Sequence, residues 1–144
     1  MEFKTDLDAR VPPGSARIYT GPFAELTGRI IGAALEVHRE LGPGLLESAY
    51  DECFCHELQL RDIAFRRQVS LPVVYKGIRL DCGYRIDVLV EDSVVIELKA
   101  TEKCVPVHEA QLLTYLRLAQ KKVGLLINFG VPVLSRGGII RRIL

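Results

Sequence analysis

The amino-acid sequence predicts a single-domain α/β protein in which a helical hairpin precedes a small sheet. Apolar residues recur at three- and four-residue intervals in two N-terminal segments and again over residues 105–120, which is typical of helices that bury one face. Between and after these segments lie runs rich in β-branched residues and bounded by glycine turns, which predict strands. A chain of 144 residues has the length of one domain and can bury a sizeable core.

The N-terminal half is predicted to contain two helices. Helical spacing runs from Glu25 to Glu40, and the glycine- and proline-rich turn at residues 42–44 ends this helix. A second helix is expected from about Leu45 to Arg61, where apolar residues stand four apart on one face. Residues 1–22 are polar and contain three prolines, so we expect a flexible arm there and a folded domain over residues 23–144.

Strands and one more helix are predicted after this hairpin. Residues 68–77 and 78–90 form two strands joined by a turn, and a third strand covers residues 94–100. A three-residue loop at 91–93 predicts that Val90 pairs with Val94 in an antiparallel hairpin. A helix over 105–120 and a buried strand over 123–129 follow, and the segment from Val131 onward is a short strand or a loop.

This predicted register brings two acidic side chains together. Counting back from the Val90–Val94 pair, Asp87 faces Glu97, and opposed residues share a sheet face with Cβ atoms about 4.5–5.5 Å apart. Such a pair could hold one divalent cation. Lys99 points to the same side as Glu97 because the two are two residues apart on a strand. A Glu–Lys pair on a half-exposed sheet face explains this last spacing equally well.

Other polar residues fall at positions where they could join this pair, although each has a simpler interpretation. Gln111 and Tyr115 share one face of a predicted helix with His108, as polar residues on a solvated helix surface also would. Glu47 lies in the first turn of the second helix, where capping alone accounts for it. His38 lies on the first helix, where packed or surface histidines are commoner than ligands.

Composition excludes several classes of protein. Hydrophobic residues make up 49% and charged residues 26%, which excludes a largely disordered chain. The longest apolar stretches are too short for a bilayer crossing and no secretory signal is visible, so we expect a cytoplasmic protein without a membrane segment. The net charge of +1 provides no global footprint of nucleic-acid binding. The basic pairs at 66–67, 121–122 and 141–142 could line one groove, but the sequence favours a place on solvated surface.

The four cysteines, at positions 53, 55, 82 and 104, lack the spacing of a zinc or redox motif. An iron–sulfur cluster would require all four to converge, although two cysteines one residue apart on a helix point in different directions. Idle thiols are therefore the expected reading in a reducing compartment.

The assembled motifs resemble the GxxExxY proteins, a bacterial and archaeal family placed in the PD-(D/E)XK nuclease superfamily. The resemblance covers residues 25–143, with the signature at Gly44, Glu47 and Tyr50; around it stand ALEVHRELGPGLLESAY, YRIDVLV, VIELKA, HEAQLLTYL and GLLINFGVPVL. It implies a restriction-endonuclease-like core with a mixed sheet flanked by helices, which agrees with the order of elements predicted above.

The resemblance also implies a chemistry, the hydrolysis of phosphodiesters with Mg²⁺ or Mn²⁺. Asp87, Glu97 and the Leu98 carbonyl would bind the metal, and Lys99 would position the attacking water or stabilise its hydroxide. Gln111 and Tyr115 look like the Gln-x-x-x-Tyr element of the branch that includes recombination helicase–nucleases, and they would position DNA or another site residue. In that branch an upstream helical acid or histidine often joins the metal, which makes Glu47 the first choice and His38 the second.

Two functions therefore remain open from the sequence. One is a metal-dependent nuclease, and the other is a catalytically silent nucleic-acid-binding or assembly module on the same fold. Because all motif positions are filled, the sequence favours an active site. The chain contains no added nucleic-acid-binding module, so affinity would come from a homo-oligomer or from a protein partner.

Overall fold

The computed structural model describes residues 20–144, so most of the predicted N-terminal arm, residues 1–19, lies outside the described residues. The helices and strands follow the predicted order, and the last segment, left open between strand and loop, forms a strand. Their bounds are α1 (Ala24–Leu41), α2 (Glu47–Leu60), β1 (Phe65–Tyr75), β2 (Ile78–Val90), β3 (Val94–Lys99), α3 (Pro106–Ala119), β4 (Val123–Asn128) and β5 (Ile139–Ile143).

The five strands form one mixed sheet in the order β1-β2-β3-β4-β5. Strands β3 and β4 are parallel, and the other neighbours are antiparallel. A parallel pair needs a crossover connection, which α3 provides. The predicted hairpin register is confirmed, because Val90 pairs with Val94. The chain therefore has the α/β architecture expected of a restriction-endonuclease-like core, with helices on both faces of a mixed sheet.

The helices cover the two faces of the sheet unequally. Helices α1 and α2 pack on one face, where Ile30, Tyr50 and Phe54 join a cluster with Ile96 and Leu98. Helix α3 packs on the other face with a smaller cluster. Every residue of β3 except Lys99 is buried, because β3 is the middle strand of the sheet and helices cover both of its faces. Over residues 20–144, none of the helices has both the length and the apolar character that a membrane crossing requires.

In β2, the alternation of side chains between the two faces of the sheet is interrupted at Asp87. Ile86 and Leu89, three residues apart, both pack in the cluster with α3, whereas Val88 and Val90 pack in the cluster with α1 and α2. A regular strand alternates with a period of two, so the alternation shifts by one residue between Ile86 and Val88. On β1, Gln68 lies opposite this point and has a φ of 51°. Asp87 thus occupies an irregular position at which β2 twists.

The C-terminal basic pair is buried, so its predicted place on solvated surface is wrong. Arg141 is fully buried in β5 and donates hydrogen bonds to the carbonyls of Thr20, at 3.2 Å, and Pro22, at 2.7 Å. Arg142 is also buried and forms an ion pair with Glu109 of α3. The two side chains point to opposite faces of β5, and each binds the chain to a different helical layer.

We predict that Arg141→Ala lowers the free energy of unfolding by about 2–4 kcal/mol, because it removes a fully buried side chain and leaves the buried Thr27 hydroxyl and two carbonyls before α1 without their donor. Denaturant unfolding measures this loss. Arg39→Ala is the control, since Arg39 pairs with Glu36 and Glu40 on the exposed surface of α1 and its removal should hardly change stability. Equal effects of the two substitutions would contradict the structural role given to Arg141.

Candidate active site

Asp87 and Glu97 lie where β2 and β3 stop pairing, and their side chains replace the missing backbone hydrogen bonds. The backbone ladder reaches the pair Val88–Ile96. Beyond it, the Leu98 amide donates to Asp87 Oδ2 at 2.9 Å, and the Asp87 amide donates to Glu97 Oε1 at 3.3 Å. Each carboxylate therefore uses one oxygen to bind the opposite strand and keeps the other for a further partner.

The two carboxyl groups also interact with each other. Burial and the neighbouring Asp87 charge raise the pKa of Glu97 to about 8. The pKa of Asp87 is raised as well, chiefly by burial, although the Leu98 amide opposes the shift. Two neighbouring acids in a desolvated place form a site in which positive charge is strongly favoured.

Lys99 ends β3 beside this pair, at the carboxyl end of the only parallel strand pair in residues 20–144. It pairs with Asn128 of β4, and its carbonyl accepts a hydrogen bond from the Phe129 amide at 2.8 Å. The Lys99 charge lowers the pKa values of Asp87 and Glu97, so its ammonium lies within electrostatic reach of both acids. Loops beyond the carboxyl ends of parallel strands are where α/β proteins commonly bind ligands.

Helix α3 places Tyr115 and Gln111 on the same side of the sheet. Tyr115 is almost fully buried; burial raises its pKa first, and the negative charges of Glu97 and Asp87 raise it further. A hydrogen bond from Gln111 to the Tyr115 hydroxyl opposes this shift. The structure thus brings both α3 residues toward the acid pair. His108 does not take part, because its Nδ1 accepts the Val105 amide and caps α3.

The residues at positions 44, 47 and 50 build the turn that carries Glu47. Gly44 has a φ of +104°, which disfavours residues with a Cβ. The Tyr50 hydroxyl donates to the Gly42 carbonyl and accepts the Leu45 amide at 3.2 Å, which clamps the turn between α1 and α2. Glu47 is exposed in this turn; desolvation raises its pKa, Lys99 opposes the shift, and Asp87 adds to it. Glu47 therefore flanks the acid pair from the helical layer.

His38 is placed differently from Glu47. Its Nε2 lies 3.1 Å from the Phe129 carbonyl and 2.9 Å from the Val131 carbonyl. Because carbonyls only accept hydrogen bonds, Nε2 carries a proton, and a cation could bind only at Nδ1. His38 thereby holds the loop after β4 against α1.

The donor set fits a hard divalent cation with an incomplete shell of protein ligands. Among residues 20–144, no group of three His, Cys, Asp or Glu side chains is close enough to hold a metal ion. Asp87 and Glu97 provide two carboxylates, each with one oxygen not used by the backbone. Mg²⁺ is commonly bound by one or two carboxylates, with waters and substrate phosphates in the remaining positions. All four cysteines are free thiols, and none of them belongs to such a group, so an iron–sulfur cluster is not supported.

Sequence reasoning missed one residue of this region, Asn128. It is fully buried, and its Oδ1 accepts the amides of Thr101 and Gly130, both at 3.0 Å, so it joins the loops that follow β3 and β4. Its Nδ2 is buried and has no hydrogen-bond partner among residues 20–144. The sole sequence signal was a polar residue at the end of an apolar strand.

A family model described as the PD-(D/E)XK nuclease superfamily matches residues 24–143. The chain belongs to this superfamily. The match spans all the helices and strands described above, including the hairpin that carries Asp87 and Glu97. Comparison with curated proteins and with solved structures found no match. Membership establishes a nuclease-like domain, and superfamily members generally use divalent metals.

We predict that Tyr50→Phe lowers the free energy of unfolding by about 1–2 kcal/mol, because it removes one hydroxyl that bridges two backbone groups of the turn. The ring stays stacked on Phe129, at 4.6 Å between centroids, so the loss reports the clamp alone. Denaturant unfolding measures it, with Tyr75→Phe as the control at an exposed tyrosine. A loss no larger than that of the control would show that the clamp does not hold the turn.

We predict that the metal-free protein becomes less stable as the pH rises from about 5 to about 8. Folded Glu97 keeps its proton up to a pKa of about 8, whereas the unfolded chain releases it near the ordinary value of 4.5, so the folded state binds more protons in this window. Melting temperatures in EDTA measure the slope. Glu97→Gln should flatten it, and Glu91→Gln, at an exposed loop acid, should not. Stability that rises through this window would contradict the raised pKa.

Proposed function

We propose that the chain hydrolyses phosphodiester bonds of nucleic acid, with Mg²⁺ or Mn²⁺ held by Asp87 and Glu97. The observation that carries this proposal is the acid pair beside Lys99, in which buried Glu97 and half-buried Asp87 each accept an amide of the opposite strand. A cation between the two carboxylates relieves their repulsion, so the pair has a physical reason to bind metal. Superfamily membership supports the same chemistry.

Each residue then has a role in the reaction. Asp87, Glu97 and the Leu98 carbonyl would hold the metal, and Glu47 would lie beside them as an outer acid. A bound cation would activate water and offset charge on the phosphate. The water oxygen forms the new bond to phosphorus, one ester bond breaks, and the leaving oxygen takes up a proton. The Lys99 ammonium donates hydrogen bonds to the attacking water or to a phosphate oxygen.

Tyr115 and Gln111 have a positioning role and take no part in the formation or cleavage of bonds at phosphorus. Their mutual hydrogen bond fixes the hydroxyl of a nearly buried tyrosine near both acids. We infer that this hydroxyl orients a carboxylate or a phosphate oxygen. The turn with Gly44, Glu47 and Tyr50 supports assignment to the GxxExxY family as part of the same proposal. A cytoplasmic location is also part of it, since the four free thiols suit a reducing compartment.

The test uses Glu97→Gln, which keeps the volume of the side chain and removes the charge that a hard cation needs. Labelled single-stranded and double-stranded DNA and RNA are incubated with Mg²⁺ or Mn²⁺ and with EDTA. We predict that wild-type protein cleaves at least one of them only with metal, and that Glu97→Gln reduces the rate by more than about 100-fold. Glu91→Gln, an exposed acid of the β2–β3 loop, is the matched control.

Melting temperatures with EDTA and with Mn²⁺ separate the possible outcomes. A metal ligand at Glu97 predicts that wild type gains stability from Mn²⁺ and that Glu97→Gln does not, while the variant in EDTA melts at the same temperature or higher. If Mn²⁺ stabilises the wild type but no nucleic acid is cleaved, the chain is a silent binding module. If the variant melts lower in EDTA yet gains as much from Mn²⁺, the metal site is wrong.

A further inference from the structure

The outer half of the β1–β2 hairpin exposes apolar side chains that a folded domain usually buries. Tyr75 is 61% exposed and Ile78 is 62% exposed, on either side of the turn at Lys76 and Gly77. Val74, Leu80 and Tyr84 are exposed as well. A cluster of this kind on one element is more than the scattered surface residues that every protein carries, and it indicates a binding surface.

The strand register places most of these side chains on one face of the hairpin. Tyr75 pairs with Ile78 and Val73 pairs with Leu80, and directly opposed residues of antiparallel strands share a face. The register shifts between Leu71 and Val73, so in the outer half of the hairpin these two pairs by themselves define one face. We call it the hairpin face (Val73, Tyr75, Ile78 and Leu80). Before the shift, Tyr84 lies opposite Leu71, which packs in the cluster with Tyr115 of α3.

The same hairpin is basic. Between Val69 and Ile86 it contains Lys76, Arg79 and Arg85 but one acid, Asp81. Within residues 20–144 these three cations form no salt bridge, and Asp81 accepts the Gly83 amide. Lys76 lies over the ring of Tyr75, at 5.4 Å from its centroid. The excess of positive charge is local, since the whole chain has a net charge of only +1.

Aromatic contact joins the hairpin to the candidate active site. The Tyr84 ring meets the Tyr115 ring edge to face, at 6.0 Å between centroids. Tyr115 is the residue whose pKa responds to Asp87 and Glu97. Tyr75 lies seven residues along β1 from Gln68, which is level with Asp87, so at about 3.3 Å per residue the hairpin reaches about 23 Å from the acids. This length is enough for several nucleotides of an extended strand.

We propose that the hairpin face binds single-stranded nucleic acid and leads it to the acid pair. This inference rests on the proposed function and adds its substrate class. Exposed tyrosines and aliphatic side chains can stack on unpaired bases, whereas the bases of a duplex are already stacked on one another. Lys76, at the turn, is placed to contact a phosphate of the same strand. Arg79 pairs with Val74 and Arg85 pairs with Ser70, so these two arginines add positive charge from the opposite side of the hairpin.

The test compares variants of the full chain that alter only exposed side chains. Tyr75→Ala with Ile78→Ser removes the stacking surface, and Leu60→Ser removes an equally exposed apolar side chain at the end of α2. The double variant Lys76→Gln and Arg79→Gln removes two positive charges from the hairpin. Its control is Lys122→Gln, which removes an exposed positive charge directly before β4, at the end of that strand away from Lys99. Melting temperatures should not change, since none of these side chains is buried.

Binding is measured by fluorescence anisotropy in EDTA, so that no cleavage occurs, with a labelled single strand of about 20 nucleotides and with the matching duplex. We expect wild type to prefer the single strand. The stacking variant should bind it at least tenfold more weakly, and the charge variant should bind it more weakly with a smaller dependence on salt. The two control variants should bind as wild type does. Equal binding of single strand by wild type and by the stacking variant would overturn the inference, as would a preference for duplex.

Cleavage of bis(p-nitrophenyl) phosphate, a small diester that cannot span the hairpin, separates this inference from the proposed function. If both hold, the hairpin variants lose cleavage of the oligonucleotide but keep cleavage of the small diester in Mn²⁺. If wild type cleaves but the hairpin variants behave as wild type on both substrates, the hairpin assignment fails and the nuclease function stands. If wild type cleaves neither substrate yet binds the single strand through the hairpin, the nuclease function fails. A change from dimer to monomer on size exclusion, without a change in binding, would assign the face to a second copy of the chain.

Discussion

The structure depends on how charge is accommodated on β3, a strand that is buried on both faces. Glu97 lies in its interior, and burial makes a lone carboxylate costly there. Asp87 and Glu97 reduce this cost by accepting amides from the opposite strand. Because those amides lie where the β2–β3 ladder ends, the same hydrogen bonds finish the strand pair and fix both acids. Fold and candidate chemistry are therefore parts of one arrangement.

The helical layer is tied to this arrangement through aromatic packing. Phe129 follows β4, its amide binds the Lys99 carbonyl, and its ring stacks on Tyr50. Tyr50 in turn clamps the turn that carries Glu47. A short chain of contacts thus connects the end of β3 with the start of α2. His38 belongs to this connection as a structural residue, since it holds the loop after β4 by its carbonyls.

Much of the architecture follows from local pattern because hydrophobic periodicity and turn residues act over short distances. The loop at 91–93 was enough to set the Val90–Val94 register, and that register brings Asp87 toward Glu97. Periodicity did not reveal the twist of β2 at Asp87, since a shift in alternation arises from packing on two different layers. It also failed for Arg141 and Arg142, because arginines in a terminal strand look like surface residues until helices cover them.

By itself the sequence determined the order of the elements, the hairpin register and the side chains that meet around β3, because strand period and loop length fix which residues face each other. Tertiary structure alone decided which of these residues are desolvated, which nitrogens and oxygens are already used, and which surfaces remain open. In the sequence, His38 and Glu47 were both candidates for one further metal ligand. In the fold, His38 contacts backbone carbonyls, whereas Glu47 lies within the electrostatic reach of Asp87 and Lys99. The apolar hairpin face is likewise a result of the tertiary structure. The β1–β2 pair extends beyond the helices that cover the sheet, so its apolar side chains stay exposed although their sequence pattern predicts burial.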